Sequence, residues 1–382
     1  MTNCLYDEDA YLRRFSATVL SAVPAENGRY DMVLDQTAFF PEQGGQSADM
    51  GILDAKVRVL DAQIRDGVIH HFCDAPLPVG SEIIGELDFG RRFSFMQQHT
   101  GEHILSGLCA RQEGCRNVGF HLSDHIVTVD YDKPLSADKL NRLEDLANKA
   151  VWDNLPVRCW YPTDEEASRF NYRSKKEIAG HLRIVSIPGV DDCACCAPHV
   201  RSTGEVGLIK IMSAMSYKGG TRLSILCGQR ALLALREKQL RLDALCRRMT
   251  CGEEELLQVM EKRDRELREA KLRASRLEGE LLMRDAVAVR ESGGRILRAD
   301  SADMQAMLRA AACLSEGQSQ TVGVFSGSDE TGYTFCLMGG EDLKATFAAF
   351  KTAIGAQGGG DSQLIRGKCN ANWTEIAAFF AS

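Results

Sequence analysis

Residues 97–107, QQHTGEHILSG, place two histidines four positions apart in a stretch with the apolar spacing of a helix. Positions i and i+4 of a helix share one face, with Cβ atoms about 5–6 Å apart, so both imidazoles can reach one ion. His99 and His103 therefore form a candidate metal-binding pair. Such pairs also occur by chance on helix surfaces, so a second set of ligands is needed elsewhere in the chain.

The helix that carries this pair has sequence signals at both ends. Ser94 and Gln97 have the S-x-x-Q spacing of a capping box, and Gly114 follows the last apolar positions. We therefore predict a helix over residues 95–112. The apolar side chains expected to be buried are Phe95, Ile104, Leu105 and Leu108.

A second histidine pair has the same spacing but a different local pattern. His121 and His125 occur in GFHLSDHIV, residues 119–127, beside the alternating sequence IVTVDYD, which is typical of a strand. Four strand residues span roughly 13 Å, at about 3.3 Å each, which is too far for two imidazoles to share one ion. We predict that His121 lines a substrate pocket and assign no role to His125.

The second set of ligands occurs in DDCACCAPHVRSTGEVGLIKI, residues 191–211, before a predicted strand. Cys195 and His199 are four residues apart there, and one thiolate with three imidazoles suits tetrahedral Zn²⁺. Cys193 and Cys196 are the alternatives for the sulfur ligand. Four protein ligands would favour a purely structural ion, because a catalytic zinc usually keeps one position open for water.

The N-terminal part of the chain predicts β-structure. Short strands with intervening turns fill residues 14–90, and Asp66-Gly67 has the sequence of a two-residue hairpin turn. Successive short strands indicate a small barrel or sandwich. We predict an α+β fold, with an N-terminal small β-barrel at 1–90 and a zinc-containing α+β domain at 91–228.

The C-terminal part predicts helices followed by an α/β domain. Residues 229–290 favour two helices interrupted near residue 250, and residues 291–382 alternate strands and helices around a glycine-rich loop at 355–370. Apolar residues recur in the second helix at Leu256, Met260, Leu267, Ala270, Ala274, Leu277 and Leu281. This seam predicts a long antiparallel helical hairpin or a dimer-forming coil.

The composition excludes several classes of protein. The chain has 382 residues, 44% of them hydrophobic, with no secretory signal and no apolar run near the roughly 20 residues that cross a bilayer. We expect a cytoplasmic globular protein with no membrane partner and with its 14 cysteines reduced. The net charge is −7, but residues 230–298 contain 17 Lys and Arg against 13 Asp and Glu. This local excess favours either contact with RNA at one face or a mixed-charge helix that aids solubility.

Four segments carry a family resemblance: LDQTAFFPEQGGQSADMGIL (34–53), RRFSFMQQHTGEHILSG (91–107), CCAPHVRSTGEVGLIKI (195–211) and GAQGGGDSQLIRGKC (355–369). The first three resemble the editing domain of alanyl-tRNA synthetase and its stand-alone relatives, the alanyl-tRNA editing proteins, whose signatures are His-x-x-x-His and Cys-x-x-x-His. The fourth is similar to the glycine-rich domain that the longer editing proteins carry after a helical hairpin. The resemblance covers nearly the whole chain.

The resemblance implies a zinc-dependent aminoacyl-tRNA hydrolase that acts in trans on alanine-specific tRNA mischarged with serine or glycine. It implies a spacer hairpin at 229–290 and an RNA-binding or dimerisation domain at 291–382, so a homodimer through either segment is expected. We expect no aminoacylation domain. Two other functions stay open, namely an RNA-binding module with a structural zinc and a hydrolase of small esters or thioesters.

The resemblance also implies roles for individual residues. His99, His103, Cys195 and His199 would hold the zinc. If His199 does not bind, the ion would activate water or polarise the ester carbonyl. If His199 does bind, the ion would instead anchor the amino group of the substrate or order the pocket. Both helical histidines are counted as catalytic.

Further residues are expected to contact the substrate. Thr37 and Gln46 would face the pocket from the barrel as catalytic and substrate-binding residues, with the Thr37 hydroxyl paired to that of serine. Arg201 would bind phosphates of the acceptor end. The amides of Gly358, Gly359 and Gly360 would meet RNA phosphates. Each of these residues also has a purely structural interpretation. Thr37 would be an ordinary strand residue and Gln46 a turn residue. Arg201 would form a salt bridge, and the three glycines would form a flexible turn.

Overall fold

The computed structural model describes residues 1–169, 171–174 and 182–381. The chain divides into two compact units, Met1–Leu242 and Asp243–Ser382. Both units mix helices and strands, so the predicted α+β class is confirmed. Among the described residues, no helix combines the length and the apolar character that a membrane crossing requires.

A closed six-stranded antiparallel barrel occupies the N-terminal part of the first unit, as predicted. In spatial order its strands are β2 (Arg14–Pro24), β3 (Tyr30–Leu34), β7 (Val68–Cys73), β6 (Val57–Arg65), β5 (Gly51–Leu53) and β8 (Glu82–Leu87). Asp66 and Gly67 join β6 to β7 with φ of 49° and 72°, the two positive φ angles that a type I′ hairpin turn needs. Beside the barrel lie β1 (Asn3–Cys4), α1 (Leu5–Glu8) and β4 (Gln36–Thr37).

The helix that carries the first histidine pair begins earlier than predicted. Helix α2 spans Phe89–Glu113, and the Asp88 carboxylate caps it by accepting a hydrogen bond from Arg91 N at 3.0 Å. The predicted capping box of Ser94 and Gln97 is therefore wrong, because both residues lie inside the helix. An aspartate at the N-cap satisfies the free amides of the first turn as well as serine does, so two cap signals competed in the sequence.

Helix α2 ends where predicted, at Gly114, which has a left-handed φ of 59°. All fifteen residues from Phe95 to Cys109 are buried, so the helix is covered on every side. Gly107 allows the close approach of a neighbouring segment, since a Cβ there would lie 2.5 Å from Val190 O. The polar side chains between Phe95 and Cys109 consequently face protein atoms rather than bulk solvent.

Two further sheets complete the first unit. A four-stranded sheet in the order β14-β15-β10-β9 packs with α2 and α3 around one core. These elements are β9 (Asn117–Leu122), β10 (Val127–Tyr131), α3 (Ala137–Trp152), β14 (Ile209–Tyr217) and β15 (Gly220–Cys227). The three-stranded sheet contains β11 (Arg158–Trp160), β12 (Ile184–Ile187) and β13 (Asp191–Ala194). The described part of the first unit also contains the α-helices α4 (Asp164–Arg169) and α5 (Gly228–Met249). The last turns of α5 belong to the second unit.

The second unit is built on a five-stranded sheet in the order β16-β17-β18-β20-β19. Its elements are α6 (Leu256–Glu291), β16 (Ile296–Ala299), α7 (Met304–Ser315), β17 (Val322–Ser328), β18 (Gly332–Met338), α8 (Leu343–Ile354), β19 (Gln357–Gly360), β20 (Leu364–Cys369) and α9 (Trp373–Ala381). One hydrophobic cluster joins α6 and α7 to the sheet, and a second, rich in aromatic residues, includes α8 and α9.

The glycine-rich stretch predicted as a loop is a β-hairpin, so that prediction is wrong. Gly358, Gly359 and Gly360 lie in β19 and pair with β20. A Cβ on Gly358 would lie 2.3 Å from Arg366 O, and one on Gly360 would lie 1.9 Å from Leu364 O. Gly358 and Gly360 are therefore needed for close pairing of two backbones, whereas a Cβ on Gly359 would meet no atom within 4 Å. A run of glycines is also typical of flexible loops, so the sequence alone does not distinguish the two structures.

The two predicted helices interrupted near residue 250 are present as α5 and α6. Three leucines of the α6 seam, Leu267, Leu277 and Leu281, are 54%, 49% and 51% exposed. The domain boundaries and the homodimer remain predictions.

Candidate metal centre and active site

Four predicted ligands come together in the first unit. His99 and His103 project from one face of α2, and Cys195 and His199 follow β13. One ligand atom from each of these residues lies within 4.8 Å of all the others. The three histidines are almost fully buried, at 2–3% exposure. The structure thus joins two sequence segments separated by nearly a hundred residues into one compact cluster.

The separations within the cluster match those of a tetrahedral zinc site. With Zn–S near 2.3 Å and Zn–N near 2.05 Å, a tetrahedral ion holds sulfur and nitrogen about 3.6 Å apart. The Cys195 Sγ lies 3.5 Å from His99 Nε2 and 3.4 Å from His199 Nε2. The rings of His103 and His199 are 4.7 Å apart at a steep angle, so they do not block one another. The donor set and its dimensions fit Zn²⁺.

Each imidazole is held by a second partner on the side away from the sulfur. Gln46 Oε1 lies 2.8 Å from His99 Nδ1, and the Asp191 carboxylate lies 3.0 Å from His103 Nδ1. Thr100 Oγ1 lies 3.0 Å from His199 Nδ1. Amide and carboxylate oxygens only accept, so the Nδ1 atoms of His99 and His103 carry protons and leave Nε2 as the nitrogen available to a metal. The Thr100 hydroxyl can donate or accept, and it fixes the position of the His199 ring.

Electrostatics distinguish Cys195 from the neighbouring cysteines. Burial alone would raise the pKa of the Cys195 thiol, but the surrounding imidazoles hold it well below its usual range. Burial raises the pKa of Cys193, and it raises the pKa of Cys196 to about 12. Burial also lowers the pKa of His199 to about 3, which keeps that ring neutral. Cys195 is thus the one of the three that ionises most readily, and thiolates rather than thiols bind metal.

The Asp191 carboxylate contacts both the cluster and a partly exposed arginine, Arg173. Arg173 forms two hydrogen bonds with Asp191, each 2.7 Å long, while the second carboxylate oxygen also faces His103. Burial would raise the pKa of Asp191, but these two partners hold it below its ordinary value. Cys193 is near His103 and Asp191 rather than at the centre of the four-ligand cluster.

A glycine turn delivers Gln46 to the cluster. Gly44 and Gly45 have φ of 64° and 87°, and a Cβ on Gly45 would lie 2.4 Å from Phe120 O. Backbone hydrogen bonds from Leu122 N to Gly45 O and from Ser47 N to Leu122 O tie this turn to β9. The amide of Gln46 therefore has a fixed position beside His99.

The other end of the Gln46 amide is free. Gln46 is fully buried, and its Nε2 has no hydrogen-bond partner in the described part of the chain. The ring of Phe120 packs 4.9 Å from that of His99 and supplies an apolar wall nearby. A buried N–H without a partner costs roughly 1–3 kcal/mol, so the amide is suited to a bound group that accepts a hydrogen bond.

Thr37 lies in β4 and is fully buried. Its hydroxyl is 2.9 Å from His71 Nε2 and accepts a hydrogen bond from Phe39 N at 3.1 Å. Its strand partner, Cys4, packs against the same small apolar cluster as Cys195. That cluster connects the strand pair of Thr37 with the segment that carries Cys195.

The remaining predicted residues lie outside the cluster. His121 is exposed on β9, and it alternates with Phe120, so its side chain points to the opposite face of the strand. Arg201 is exposed, pairs with Asp9 at 3.1 Å and stacks on Tyr11. Gly358, Gly359 and Gly360 belong to the second unit.

Three residues that sequence reasoning missed support the cluster: Thr100, Asp191 and Arg173. Thr100 immediately follows His99, and Asp191 opens the segment that contains Cys195, so both were close to recognised motifs. Arg173 had no local signal, because its role depends on tertiary pairing with Asp191.

Two family models match the chain. Residues 182–224, which include Cys195 and His199, match the second additional domain of threonyl and alanyl tRNA synthetases. Residues 12–91, which contain the barrel strands, match the class II (A) tRNA synthetases.

Curated proteins show the same relationship over longer stretches. Alanine–tRNA ligase of Pyrobaculum neutrophilum is 31% identical over 96% of this chain and 42% of its own length. Alanyl-tRNA editing protein Aarsd1 of Rattus norvegicus is 31% identical over 68% of this chain and 66% of its own length, and that of Bos taurus is 31% identical over 66% and 61%. The chain therefore spans less than half of the ligase and just under two thirds of these editing proteins. The chain belongs to the family of alanyl-tRNA editing proteins and the related alanine–tRNA ligases.

Proposed function

We propose that this chain is a hydrolase that deacylates alanine-specific tRNA mischarged with serine or glycine. The observation that carries the proposal is the convergence of three oriented imidazoles and the Cys195 thiolate beside the free amide of Gln46. The relatives include alanyl-tRNA editing proteins, which supports the choice of substrate.

The residues that would hold Zn²⁺ are His99, His103, Cys195 and His199. Bound there, the ion would supply positive charge that orders the pocket and attracts polar groups of the substrate. The partners at the Nδ1 atoms fix the imidazole rings, so the ligands need little rearrangement.

Gln46 has two roles in this proposal. Its Oε1 holds His99, and its Nε2–H donates a hydrogen bond to the ester carbonyl as negative charge develops on that oxygen. Because the amide is buried, the donor acts where water does not compete with it. Thr37 contacts the amino-acid side chain, and Phe120 excludes water from the other side of His99.

Contacts to the tRNA itself form a separate part of the proposal. Arg201 is exposed close to the ligand segment, and its surface pair with Asp9 is weak enough to exchange for a phosphate. In the second unit, β19 is an edge strand made largely of glycine, and its neighbour β20 carries the exposed residues Arg366 and Lys368. Unpaired strand amides and two cations suit a nucleic-acid backbone.

The half-exposed leucines of α6 support the proposed homodimer, because a heptad seam buries its apolar positions against a second helix.

A deacylation assay tests the proposed function. Purified protein is mixed with alanine-specific tRNA that has been charged with serine, and the release of free serine is followed over time. We expect rapid hydrolysis by the wild type and a loss of at least about 100-fold in the double variant His99→Ala, His103→Ala. His125→Ala is the matched control, since His125 is exposed and outside the cluster. Equal rates in all three proteins would refute the proposal.

One observation favours a second function, an RNA-binding module with a structural zinc. All four ligands converge, and a closed four-ligand shell is typical of structural sites. In that case the wild type would bind the tRNA in a gel-shift titration but would release no serine above the double variant.

A further inference from the structure

A buried histidine on the barrel faces Thr37 and has no role in the proposed function. His71 lies on β7, is fully buried and packs edge to face with Phe39 at 5.7 Å. Its two ring nitrogens have different partners. Nδ1 is 3.1 Å from Met32 O, and Nε2 is 2.9 Å from Thr37 Oγ1.

These partners fix the tautomer of the ring. A backbone carbonyl only accepts hydrogen bonds, so His71 Nδ1 must carry the proton that Met32 O accepts. Burial lowers the pKa of His71 to about 4, so near neutral pH the ring has one proton only. Nε2 is therefore an acceptor, and the hydrogen bond between it and Thr37 runs from the Thr37 hydroxyl to the ring.

This direction leaves the Thr37 hydroxyl with one unused hydrogen-bonding position. A hydroxyl has one proton and two lone pairs. The proton goes to His71, and Phe39 N donates to one lone pair at 3.1 Å. The lone pair that remains can only accept a hydrogen bond. The Thr37 hydroxyl cannot rotate to become a donor without breaking its bond to the buried ring.

We propose that His71 is a positioning residue that makes Thr37 an obligate acceptor, so that the site selects an aminoacyl group whose side chain donates a hydrogen bond. Serine has such a hydroxyl, whereas glycine and alanine have none. The inference rests on the proposed function, because it takes Thr37 to contact the amino-acid side chain. It adds that seryl esters are preferred to glycyl esters and names the buried residue that causes the preference.

Substitution of His71 separates this role from a purely structural one. The test compares kcat/KM for seryl-tRNA and glycyl-tRNA in the wild type, His71→Phe, His71→Gln, Thr37→Val and the double variant Thr37→Val, His71→Phe. We expect His71→Phe to lower the value for seryl-tRNA about 10-fold and to change that for glycyl-tRNA less than about 2-fold. His71→Gln, whose amide oxygen can accept from Thr37, should restore most of the loss.

The double variant measures the coupling between His71 and Thr37. If His71 acts through Thr37, adding His71→Phe to Thr37→Val should cause no further loss on seryl-tRNA. Thermal unfolding and zinc content are measured for every variant. If His71→Phe does not fold, the rates of Thr37→Val and His71→Gln on the two substrates are compared instead. Equal losses on both substrates, or additive losses in the double variant, would overturn the inference. A wild type that hydrolyses neither substrate would overturn the proposed function first and the inference with it.

Discussion

Replacing Asp191 by asparagine tests the outer partners of the metal cluster. The carboxylate receives the Nδ1 proton of His103 at 3.0 Å and two hydrogen bonds from Arg173 at 2.7 Å, and Asp191 is 2% exposed. Asparagine has nearly the same size but no charge. It therefore weakens the hold on the His103 ring and leaves the Arg173 guanidinium without its counter-ion.

The magnitude follows from these two losses. Removing a partner behind a ligating histidine weakens metal binding by about 10- to 100-fold, which corresponds to about 1.4–2.7 kcal/mol. Breaking a buried ion pair by removing one charge costs about 3–5 kcal/mol, and the lower end applies because the Arg173 side chain is 22% exposed. We expect weaker zinc binding together with a metal-free protein that is about 3 kcal/mol less stable.

The assay is a competition titration of zinc against a chelator, with urea unfolding of the metal-free protein in parallel. Asp192→Asn is the matched control, because Asp192 is the next residue, is 26% exposed and pairs only loosely with Arg111 at 3.9 Å. Zinc affinities for the two variants that agree within about 2-fold would refute the argument that Asp191 positions His103.

Two other predictions follow from single buried side chains. At saturating zinc, Gln46→Ala should lower deacylation by about 100-fold because the free Nε2 donor is lost; an unchanged rate would exclude the carbonyl contact. The same substitution removes the Oε1 partner of His99, so it should also weaken zinc binding by about 10- to 100-fold. His71 should make stability depend on pH. Its pKa is about 4 in the folded protein and about 6.5 in the unfolded chain. Between about pH 4 and pH 6.5, the unfolded chain therefore binds a proton that the folded protein does not. Stability should fall as pH drops from about 6.5 to 4, by about 1.4 kcal/mol per pH unit, and His71→Phe should reduce that slope in urea unfolding.

The sequence predicted those features of the site that depend on local geometry. The i, i+4 spacing of His99 and His103 needs only a helix, and the spacing of Cys195 and His199 needs only that their segment meet that helix. The short strands and the turn at Asp66 predicted a small barrel or a sandwich, and the structure has a closed barrel there. These signals are periodic or involve neighbouring residues, so they can be recognised in a single sequence.

The features that sequence reasoning missed or misplaced depend on tertiary contacts. The helix start at Asp88 and the capping box at Ser94 are equally good local signals, and packing decided between them. The glycines at 358–360 indicate a loop by composition, but the close approach of β20 requires glycine in a strand. The pairing of Thr37 with His71 exists only once β7 has closed the barrel.

In the proposed function, a full set of four protein ligands would leave the chemical work to other side chains of the protein. With three imidazoles and a thiolate around one point, few positions remain for a reacting group on an ion held there. Polarisation of the ester carbonyl would then depend on donors that the fold holds rigidly, and the proposed donor is Gln46 Nε2. Because the same amide holds His99 through its Oε1, it cannot rotate without releasing a ligand. The metal centre would thus fix the direction of the Gln46 donor, which explains why the turn at Gly44 and Gly45 ties this residue so firmly to β9.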